Sequence, residues 1–289
     1  MATERAQPEN GNGNGGGARR NWPAPAKINL YLHVRARRAD GMHELDTHFQ
    51  FLDFADELQF DTDACGIRRM DRHDFELPDD DLCVRAAKLL RAEAGGGERG
   101  AVITLRKIIP PGSGLGGGSS NAATTLLALN QLWKLNLPRA RLAELALQLG
   151  ADVPLFVHGN AARAGGVGEK LTPAAADEKW LCLCLPPVAV STARVFAHWR
   201  PSDAEKTAEH AEQKNDLENA ATRLYPEVAG ALARMRRHAD ARMSGSGGAV
   251  YARFDTRAQA ERAAAQLPEI PSVITRSRNI HPLRDLPPA

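Results

Sequence analysis

The apolar and polar positions of this chain follow two spacings, which together predict a mixture of strands and helices. Residues 26–34 are apolar at every second position, which predicts a strand with Lys27 and Asn29 on its polar face. Apolar residues at helical spacing after Asp81 and after Pro138 predict two helices that begin there. The remaining predicted elements are strands at 42–52, 101–109, 181–185, 242–254 (two strands and a turn) and 272–280, a hairpin within 56–74, and helices at 122–133, 201–240 and 259–267.

Length and charge limit the classes of protein that fit. The 289 residues suffice for two domains, and we expect an N-terminal domain over 22–170 and a C-terminal α+β domain over 171–289. Lys and Arg total 37 against 35 Asp and Glu, and the interspersed charges predict no nucleic-acid or membrane partner. Because no apolar stretch is long enough to span a bilayer and no signal peptide is visible, we expect a soluble cytoplasmic protein.

The N-terminal tail and the cysteines carry no predicted chemistry. Residues 1–21 are rich in Gly and Asn and almost free of large apolar side chains, which predicts a disordered extension. The cysteines lack the spacing of a zinc site, and the alternation of Cys182 and Cys184 in a strand predicts buried free thiols. The full set is Cys65, Cys83, Cys182 and Cys184.

A glycine-rich turn lies between the strand predicted at 101–109 and the next helix. Five glycines occur between Gly112 and Gly118, and we expect the helix to begin at Ser119 or Ser120. Glycine allows positive φ and a close approach of backbone N–H groups to a ligand, and a helix N-terminus attracts anions. We therefore predict a phosphate-binding loop, with a glycine-rich surface loop as the alternative.

The spacing within this turn distinguishes among phosphate loops. No lysine follows Gly118, which excludes a Walker A loop. Gly112-x-Gly114-x-x-Gly117 matches the dinucleotide fingerprint, but the region about 20 residues on should then hold a second strand that ends in an acid. Residues 135–138 instead form a turn between two helical patterns, which disfavours a dinucleotide-dependent oxidoreductase.

Several polar residues outside the loop remain ambiguous from local sequence. Lys27 at a strand start is either a solvated edge residue or a functional cation. Asp152, just after the helix stop at Gly150, either caps the next helix or lines a cleft. His43 and His48 lack zinc spacing and a third partner, so we expect no metal site there.

Three motifs, in order, resemble those of the GHMP kinase superfamily. Residues 110–122, with Gly114-Leu-Gly116 followed by two serines, resemble its ATP loop; residues 25–30 resemble its first motif and 243–250 its third. Four shorter segments are similar to the branch of the family that phosphorylates a cytidine diphosphate-linked methylerythritol: 26–30, 40–43, 116–123 and 150–156. The resemblance covers the chain from Trp22 onward.

The resemblance implies a fold, a reaction and cofactors. The fold would be the α+β, two-domain GHMP kinase fold, with the ATP and substrate cleft between the domains. The reaction would be ATP-dependent phosphorylation of the 2-hydroxyl of that cytidyl substrate, in the non-mevalonate isoprenoid pathway. ATP and Mg²⁺ would be the cofactors, and the chain would act as a monomer or homodimer.

The resemblance also implies roles for individual residues. Asp152 would be the catalytic base, with Lys27 beside it. The implied ATP-binding residues are Lys107, Pro111, Gly112, Ser113, Gly114, Leu115, Gly116, Gly117, Gly118, Ser119, Ser120 and Asn121. The implied substrate-binding residues are Asn29, His43, Phe49, Asp152, Thr192 and Phe196, with aromatic stacking on cytosine as the physical reason for the phenylalanines. Mg²⁺ would be carried with ATP rather than held in a protein cage, with Ser120 as a candidate ligand.

Two departures from the family pattern concern the bases, and two alternatives remain. Met42 and Asp81 stand where the family often has tyrosine and asparagine, which changes a stacking face and an adenine contact. A homoserine or mevalonate kinase is the alternative enzyme, disfavoured by the strand around His43. A non-catalytic nucleotide-binding regulator would have no need of intact Lys27 and Asp152.

Overall fold

The computed structural model describes residues 20–62, 66–204 and 214–286, so the predicted disordered tail, apart from its last two residues, and Cys65 lie outside the described residues. The strands are β1 (Trp22–Arg37), β2 (His43–Asp61), β3 (Ile67–Asp71), β4 (Ala101–Arg106), β5 (Ala162–Gly165), β6 (Lys170–Pro173), β7 (Trp180–Cys184), β8 (Ala241–Met243), β9 (Val250–Phe254) and β10 (Ser272–Arg278). The helices are α1 (Leu82–Glu93), α2 (Gly117–Leu132), α3 (Arg139–Leu147), α4 (Val153–His158), α5 (Thr192–His198), α6 (Glu218–Leu224), α7 (Pro226–Met235) and α8 (Arg257–Ala265), with a 3₁₀ turn at Pro201–Asp203.

The long strand β2 is the centre of the sheet. It pairs antiparallel with β1, β4, β5 and β10 along different parts of its length. Through β10 the sheet continues into β7, β9 and β8, so that the strand order is β3-β4-β2-β10-β7-β9-β8. Strands from both ends of the chain therefore belong to one hydrogen-bonded sheet, and the predicted mixture of helices and strands is confirmed. The domain boundary at residue 170 stays a prediction.

The hairpin predicted within 56–74 is wrong. β3 does not pair with β2; β4 lies between them, antiparallel to β2 and parallel to β3. Five of the six residues of β4 are buried, whereas none of the five residues of β3 is. A strand that is buried along its length fits the interior of a sheet, and a partly polar strand fits an edge.

Local sequence patterns predict the start of α1 correctly, but they predict the packing of only part of β1. Ala26, Ile28 and Leu30 pack together as the alternation predicts, but Leu32 packs in a different cluster because the pairing with β2 shifts register between Asn29 and Tyr31. α1 begins as predicted, and the carboxylate of Asp81 caps it by accepting the N–H of Val84.

Three apolar clusters form the core, and the smallest joins the other two. It combines residues of β1 with Leu115 from the glycine-rich turn and with Leu181, Leu183 and Tyr251 from β7 and β9. Burial of a leucine such as Leu115 contributes about 1.5–3 kcal/mol. The glycine-rich turn is thus anchored by an apolar residue that packs against strands from both ends of the chain. No described helix is long and apolar enough to cross a membrane.

Candidate active site

The helix after the glycine-rich turn has an N-terminus without a side-chain cap. α2 begins at Gly117, two residues before the predicted start, and its N-cap Gly116 has φ of 70° and makes no side-chain capping hydrogen bond. The first-turn N–H groups of a helix need a partner from outside the helix, and the dipole at this end favours an anion. This geometry favours the phosphate-binding interpretation over that of an ordinary surface loop.

Backbone hydrogen bonds hold the turn to three other segments. The bonds run from Val190 N to Gly112 O (3.0 Å), from Ala249 N to Ser113 O (2.8 Å) and from Lys27 N to Leu115 O (2.9 Å). The predicted ATP-binding stretch from Pro111 to Asn121 is therefore fixed against β1, the 186–191 loop and the third glycine motif. Its position is set by contacts distant in sequence rather than by the loop alone.

Two glycines of the turn allow contacts that a side chain would prevent. A Cβ atom on Gly114, whose φ is 74°, would lie 2.2 Å from the carbonyl oxygen of Ser244. A Cβ atom on Gly116 would lie 3.0 Å from Cγ of Lys27 and 3.1 Å from Cζ of Phe156. Glycine is required at Gly114 because the space is occupied by backbone, and at Gly116 a side chain would press on Lys27.

Lys27 and Asp152 form the central pair of the site. Lys27 Nζ lies 3.5 Å from Oδ2 of Asp152 and donates a 2.7 Å hydrogen bond to Oδ1 of Asn29. The Lys27 side chain is 4% exposed and that of Asp152 is 32% exposed. Lys27 and Asn29 share a face, as the alternation of β1 predicts. The ammonium group lies behind the carboxylate, so that Asp152 is the member of the pair that a small molecule can reach.

The structure distinguishes between the two interpretations of Asp152. The residue is the N-cap of α4, but its side chain makes no capping hydrogen bond. Its carboxylate instead contacts the ammonium group of Lys27. The structure therefore argues against the capping interpretation, and a position at a cleft wall stays a prediction.

Lys107 and Asn121 belong to a buried polar group around Asp56. Lys107 Nζ lies 2.7 Å from Asp56 Oδ2, and Asn121 Nδ2 donates to the same oxygen at 2.9 Å. Asp56 Oδ1 accepts the N–H groups of Ile108 and Ile109, which is why β4 ends at Arg106 instead of continuing to residue 109 as predicted. Lys107 thus lies against the start of α2, where a Cβ atom on Gly117 would be 3.0 Å from its Nζ, and Asn121 lies within α2. Asp56 engages both side chains.

The Ser120 hydroxyl is a buried polar atom with no hydrogen-bond partner in the part of the chain that the structure describes. Ser120 is fully buried in the first turns of α2, and its Oγ has no hydrogen-bond partner among the described residues. A hydroxyl oxygen of this kind is a ligand that Mg²⁺ accepts, together with phosphate oxygens. Among the described residues no group of three His, Cys, Asp or Glu side chains is arranged to hold a metal ion. The residues present therefore fit a metal ion held jointly with a bound phosphate.

An aromatic cluster lies around His43. Phe196 stacks on the His43 ring with centroids 5.0 Å apart, and Trp199 meets it edge-on at 5.7 Å. Burial, together with the nearby positive charge of Arg37, lowers the pKa of His43 below its ordinary value. The imidazole is therefore neutral at pH 7, with one nitrogen as donor and one as acceptor. Met42 is half exposed beside this cluster.

The remaining predicted substrate residues take different positions. Thr192 Oγ1 lies 2.7 Å from Ser246 Oγ, which links α5 to the third glycine motif. Phe49 is 2% exposed and packs in the core with the Lys27 ammonium 5.2 Å above its ring. Phe49 therefore lies beneath Lys27, and its ring is too buried for cytosine to stack on it.

Sequence reasoning missed several members of the site. Asp56 gave no local signal because its partners come from the segment that follows β4 and from α2. Trp199 lies three residues beyond Phe196, and its Nε1 is buried without a partner among the described residues. Ser244 and Ser246 lie in a motif that was singled out, but without a role for its serines.

Models of one protein family match segments in both halves of the chain. The model of the GHMP kinases N-terminal domain matches residues 81–160, and that of the GHMP kinases C-terminal domain matches residues 200–272. A protein of Pseudomonas paraeruginosa named 4-diphosphocytidyl-2-C-methyl-D-erythritol kinase is 49% identical over 253 residues, which are 86% of this chain and 89% of that protein. A protein of the same name from Shewanella loihica is 47% identical over 254 residues, 86% of this chain and 89% of that protein.

Solved structures agree with this assignment. The crystal structure of a 4-(cytidine 5'-diphospho)-2C-methyl-D-erythritol kinase superposes with a TM-score of 0.78 at 36% identity, over 89% of this chain and 99% of that chain. A homoserine kinase from Cytophaga hutchinsonii superposes with a TM-score of 0.66 at 18% identity, over 93% of this chain and 98% of that chain. At that identity the second likeness shows the fold alone.

Proposed function

This chain belongs to the GHMP kinase family, and we propose that it transfers the γ-phosphate of ATP to the 2-hydroxyl of 4-diphosphocytidyl-2-C-methyl-D-erythritol. The relatives that carry this activity in their names are nearly half identical to it over most of both chains. The observation that carries the proposal is the Lys27–Asp152 pair, 3.5 Å between Nζ and Oδ2, next to the uncapped N-terminus of α2.

In phosphoryl transfer the protein mainly positions the reactants and stabilises charge. The transferred group passes through a loose transition state whose charge is spread over its oxygens, so that catalysis consists of alignment and electrostatic stabilisation. The site supplies both: a carboxylate for the attacking alcohol, an ammonium group, and backbone N–H groups at a helix N-terminus. Each part is held by contacts described above.

Asp152 is the base for the attacking hydroxyl. Its carboxylate is the exposed member of the central pair, and no helix-capping bond competes for it. It accepts the proton of the substrate alcohol as the oxygen attacks phosphorus. General base catalysis of this kind contributes about 10²–10⁴ in rate.

Lys27 is the fixed cation of the site. One of its N–H groups is donated to Asn29, and the ammonium also faces Asp152 and the ring of Phe49. An ammonium group retains donors for a phosphate oxygen in this arrangement. Because Lys27 is buried, its attraction to developing phosphate charge is screened little by water.

The glycine-rich turn binds the ATP phosphates. The backbone N–H groups at the start of α2 and the adjacent turn act as donors to phosphate oxygens. We assign the Ser120 hydroxyl, together with ATP phosphate oxygens, as the ligand set for Mg²⁺. Bound there, the ion would supply positive charge that offsets the negative charge on the phosphates.

The cytidine end of the substrate binds at the aromatic cluster. Neutral His43 offers one donor and one acceptor to the cytosine edge, and Phe196 and Trp199 offer aromatic faces and edges for the base. Thr192, at the start of α5, contacts Ser246 of the third glycine motif, and in this proposal it binds the diphosphate part. We further propose that the enzyme is cytoplasmic and acts as a monomer or homodimer.

Release of ADP from Mg-ATP tests the proposal. The reaction is run with the cytidyl substrate, with homoserine and with mevalonate, and with no acceptor. Release that depends on the cytidyl substrate supports the proposal. Release only with homoserine or mevalonate would refute the assignment of His43, and no release with any acceptor despite ATP binding would favour a regulator.

A further inference from the structure

The segment that precedes α6 is attached to β1 close to the catalytic residues. Leu32 donates its N–H to the carbonyl oxygen of Lys214 at 2.9 Å, and Asp216 donates its N–H back to Leu32 at 2.8 Å. The Asp216 carboxylate accepts the N–H of Val34 at 2.9 Å and lies 3.3 Å from Nδ1 of His33. Residues 214–216 therefore lie alongside β1, with an isolated parallel bridge between Leu32 and Asn215, and are fixed by backbone and side-chain contacts.

Between these anchors, Asn215 points its amide at the third glycine motif. Its Nδ2 donates to the carbonyl oxygen of Met243 at 3.0 Å and to that of Gly245 at 2.7 Å, while its Oδ1 accepts the N–H of Leu217 at 3.0 Å. A primary amide has two N–H donors, and here one side chain directs both at carbonyls two residues apart. No signal in the sequence singles out Asn215, which lies 28 residues from Met243.

Gly245 in turn lies against the catalytic lysine. A Cβ atom on Gly245 would be 3.3 Å from Lys27 Nζ, 3.3 Å from Asn29 Oδ1 and 3.0 Å from the carbonyl oxygen of Gly114. The neighbouring Ser244 Oγ accepts the N–H of Asn29 at 3.4 Å and donates to the Gly114 carbonyl at 3.1 Å. The turn that Asn215 holds is thus one wall of the space in which the Lys27 ammonium group lies.

We propose that Asn215 is a positioning residue: by holding the Met243 and Gly245 carbonyls it keeps the turn at 244–247 against Lys27, so that the ammonium group stays directed at Asp152. Asn215 itself touches no reacting atom. The inference rests on the proposed phosphoryl transfer for its effect on rate, but not for its effect on the accessibility of Lys27.

Asn215→Asp tests the proposal most directly. The aspartate side chain has the same shape, but an acceptor oxygen replaces the amide nitrogen that donates to the two carbonyl oxygens. Asn219→Asp is the matched control: Asn219 is exposed on α6, four residues further along the same segment. Asn215→Ala removes the donors without adding a charge, and it replaces Asn215→Asp if that protein does not fold.

The first readout is independent of any substrate. The full chain is treated with an amine acetylating reagent, and modification of Lys27 and Lys107 is followed by mass spectrometry. Both lysines are buried in the wild type, at 3% and 5% exposure. We expect Asn215→Asp to raise modification of Lys27 by about fivefold or more with Lys107 still protected, as expected for local rather than global opening. Unchanged Lys27, or an equal rise at both lysines, would overturn the proposal.

The second readout is a double-mutant cycle on kcat. In the wild-type background we expect Asn215→Asp to lower kcat by about tenfold or more, with KM for ATP changed less than about threefold. In a Lys27→Ala background the same substitution should change kcat by less than about twofold, because its effect acts through Lys27. Equal losses in both backgrounds would assign Asn215 a general structural role. If the wild-type protein is inactive on the cytidyl substrate, the proposed function is refuted, while the labelling still tests the positioning role of Asn215.

Discussion

The backbone N–H of Leu283 donates a 3.0 Å hydrogen bond to Nδ1 of His281, which fixes the tautomer of a buried imidazole. Nδ1 must be the acceptor in this bond, so that the proton of the neutral ring lies on Nε2, which has no partner among the described residues. The ring packs edge-on against Phe51 and Phe156, the latter in α4, which begins next to Asp152. Because protonation would place a charge on a ring that is buried among aromatic side chains, folding stability depends on pH.

Acid destabilises the protein through His281. Burial, with a smaller effect of the charge on Arg139, lowers the pKa of His281 to about 3. Since the unfolded chain binds this proton near pH 6.5 and the folded protein does not, folding stability is full above pH 6.5 and falls as the pH drops toward 3. The fall amounts to about 1.4 kcal/mol per pH unit once the unfolded imidazole is protonated.

Urea unfolding at pH 7.5 and at pH 5 measures this dependence. We expect His281→Phe to lose less stability than the wild type between the two pH values, even if it is less stable at pH 7.5. His238→Phe, at an exposed position, should keep the wild-type dependence. An unchanged pH dependence in His281→Phe would contradict the assignment of the acid loss to this residue.

Asp152→Asn should abolish most turnover without disturbing the fold. The amide keeps the size of the side chain but cannot accept the substrate proton, so that we expect kcat to fall by about 10²–10⁴. The thermal unfolding midpoint should fall only modestly, because Asp152 makes no capping bond in α4 and its side chain is 32% exposed, although Lys27 loses its carboxylate partner. Turnover within a few-fold of the wild type would exclude Asp152 as the base.

Removal of one partner of the Asp56–Lys107 ion pair should destabilise the protein more than removal of both partners. Both groups are nearly inaccessible, with side-chain exposures of 0% and 3%, and Lys107→Met leaves the Asp56 carboxylate without its cation. Loss of one partner of a buried pair costs about 3–5 kcal/mol, whereas removal of both is often close to neutral.

Chemical denaturation of single and double variants measures this coupling. We expect Lys107→Met to be strongly destabilised and Asp56→Asn/Lys107→Met to recover part of the loss. Lys88→Met is the matched control, because Lys88 and Asp80 form a pair of similar length that is more than half exposed. Exposed pairs contribute at most about 1 kcal/mol. Equal losses in Lys88→Met and Lys107→Met would contradict the argument from burial.

Trp199 should affect binding of the cytidyl substrate and not of ATP. It meets His43 edge-on at 5.7 Å, and aromatic pairs contribute about 0.5–1.5 kcal/mol beyond burial. Trp199→Ala should therefore raise KM for the cytidyl substrate about 2- to 12-fold, with KM for ATP unchanged. His198→Ala, at the adjacent exposed position, should leave both unchanged. A rise in KM for ATP alone would place Trp199 outside the substrate site.

Much of the local architecture could be predicted from the sequence. The alternation in β1 placed Lys27 and Asn29 on one face, and their 2.7 Å hydrogen bond confirms it. The order of strand, glycine-rich turn and helix around Gly112–Gly118 was also correct. These features depend on backbone sterics and on spacing within one element, which neighbouring residues determine by themselves.

The predictions that failed concern pairing and termination. β3 was placed beside β2, and β4 was extended to residue 109, because strand partners and the Asp56 carboxylate lie far away in sequence. The start of α2 was placed two or three residues too late, at Ser119 or Ser120. The structure leaves this end without a side-chain cap, and that is the property a phosphate site needs.

The sequence by itself determined which chemical groups the site would contain: a lysine, an aspartate, a glycine-rich turn before a helix, and aromatic residues. Only the tertiary structure decided which groups meet. Asp56 lies 51 residues from Lys107 and Ser244 lies 215 from Asn29, yet each pair is within hydrogen-bonding distance. Such contacts form because the buried apolar faces pack in one arrangement, and local spacing carries no information about that arrangement.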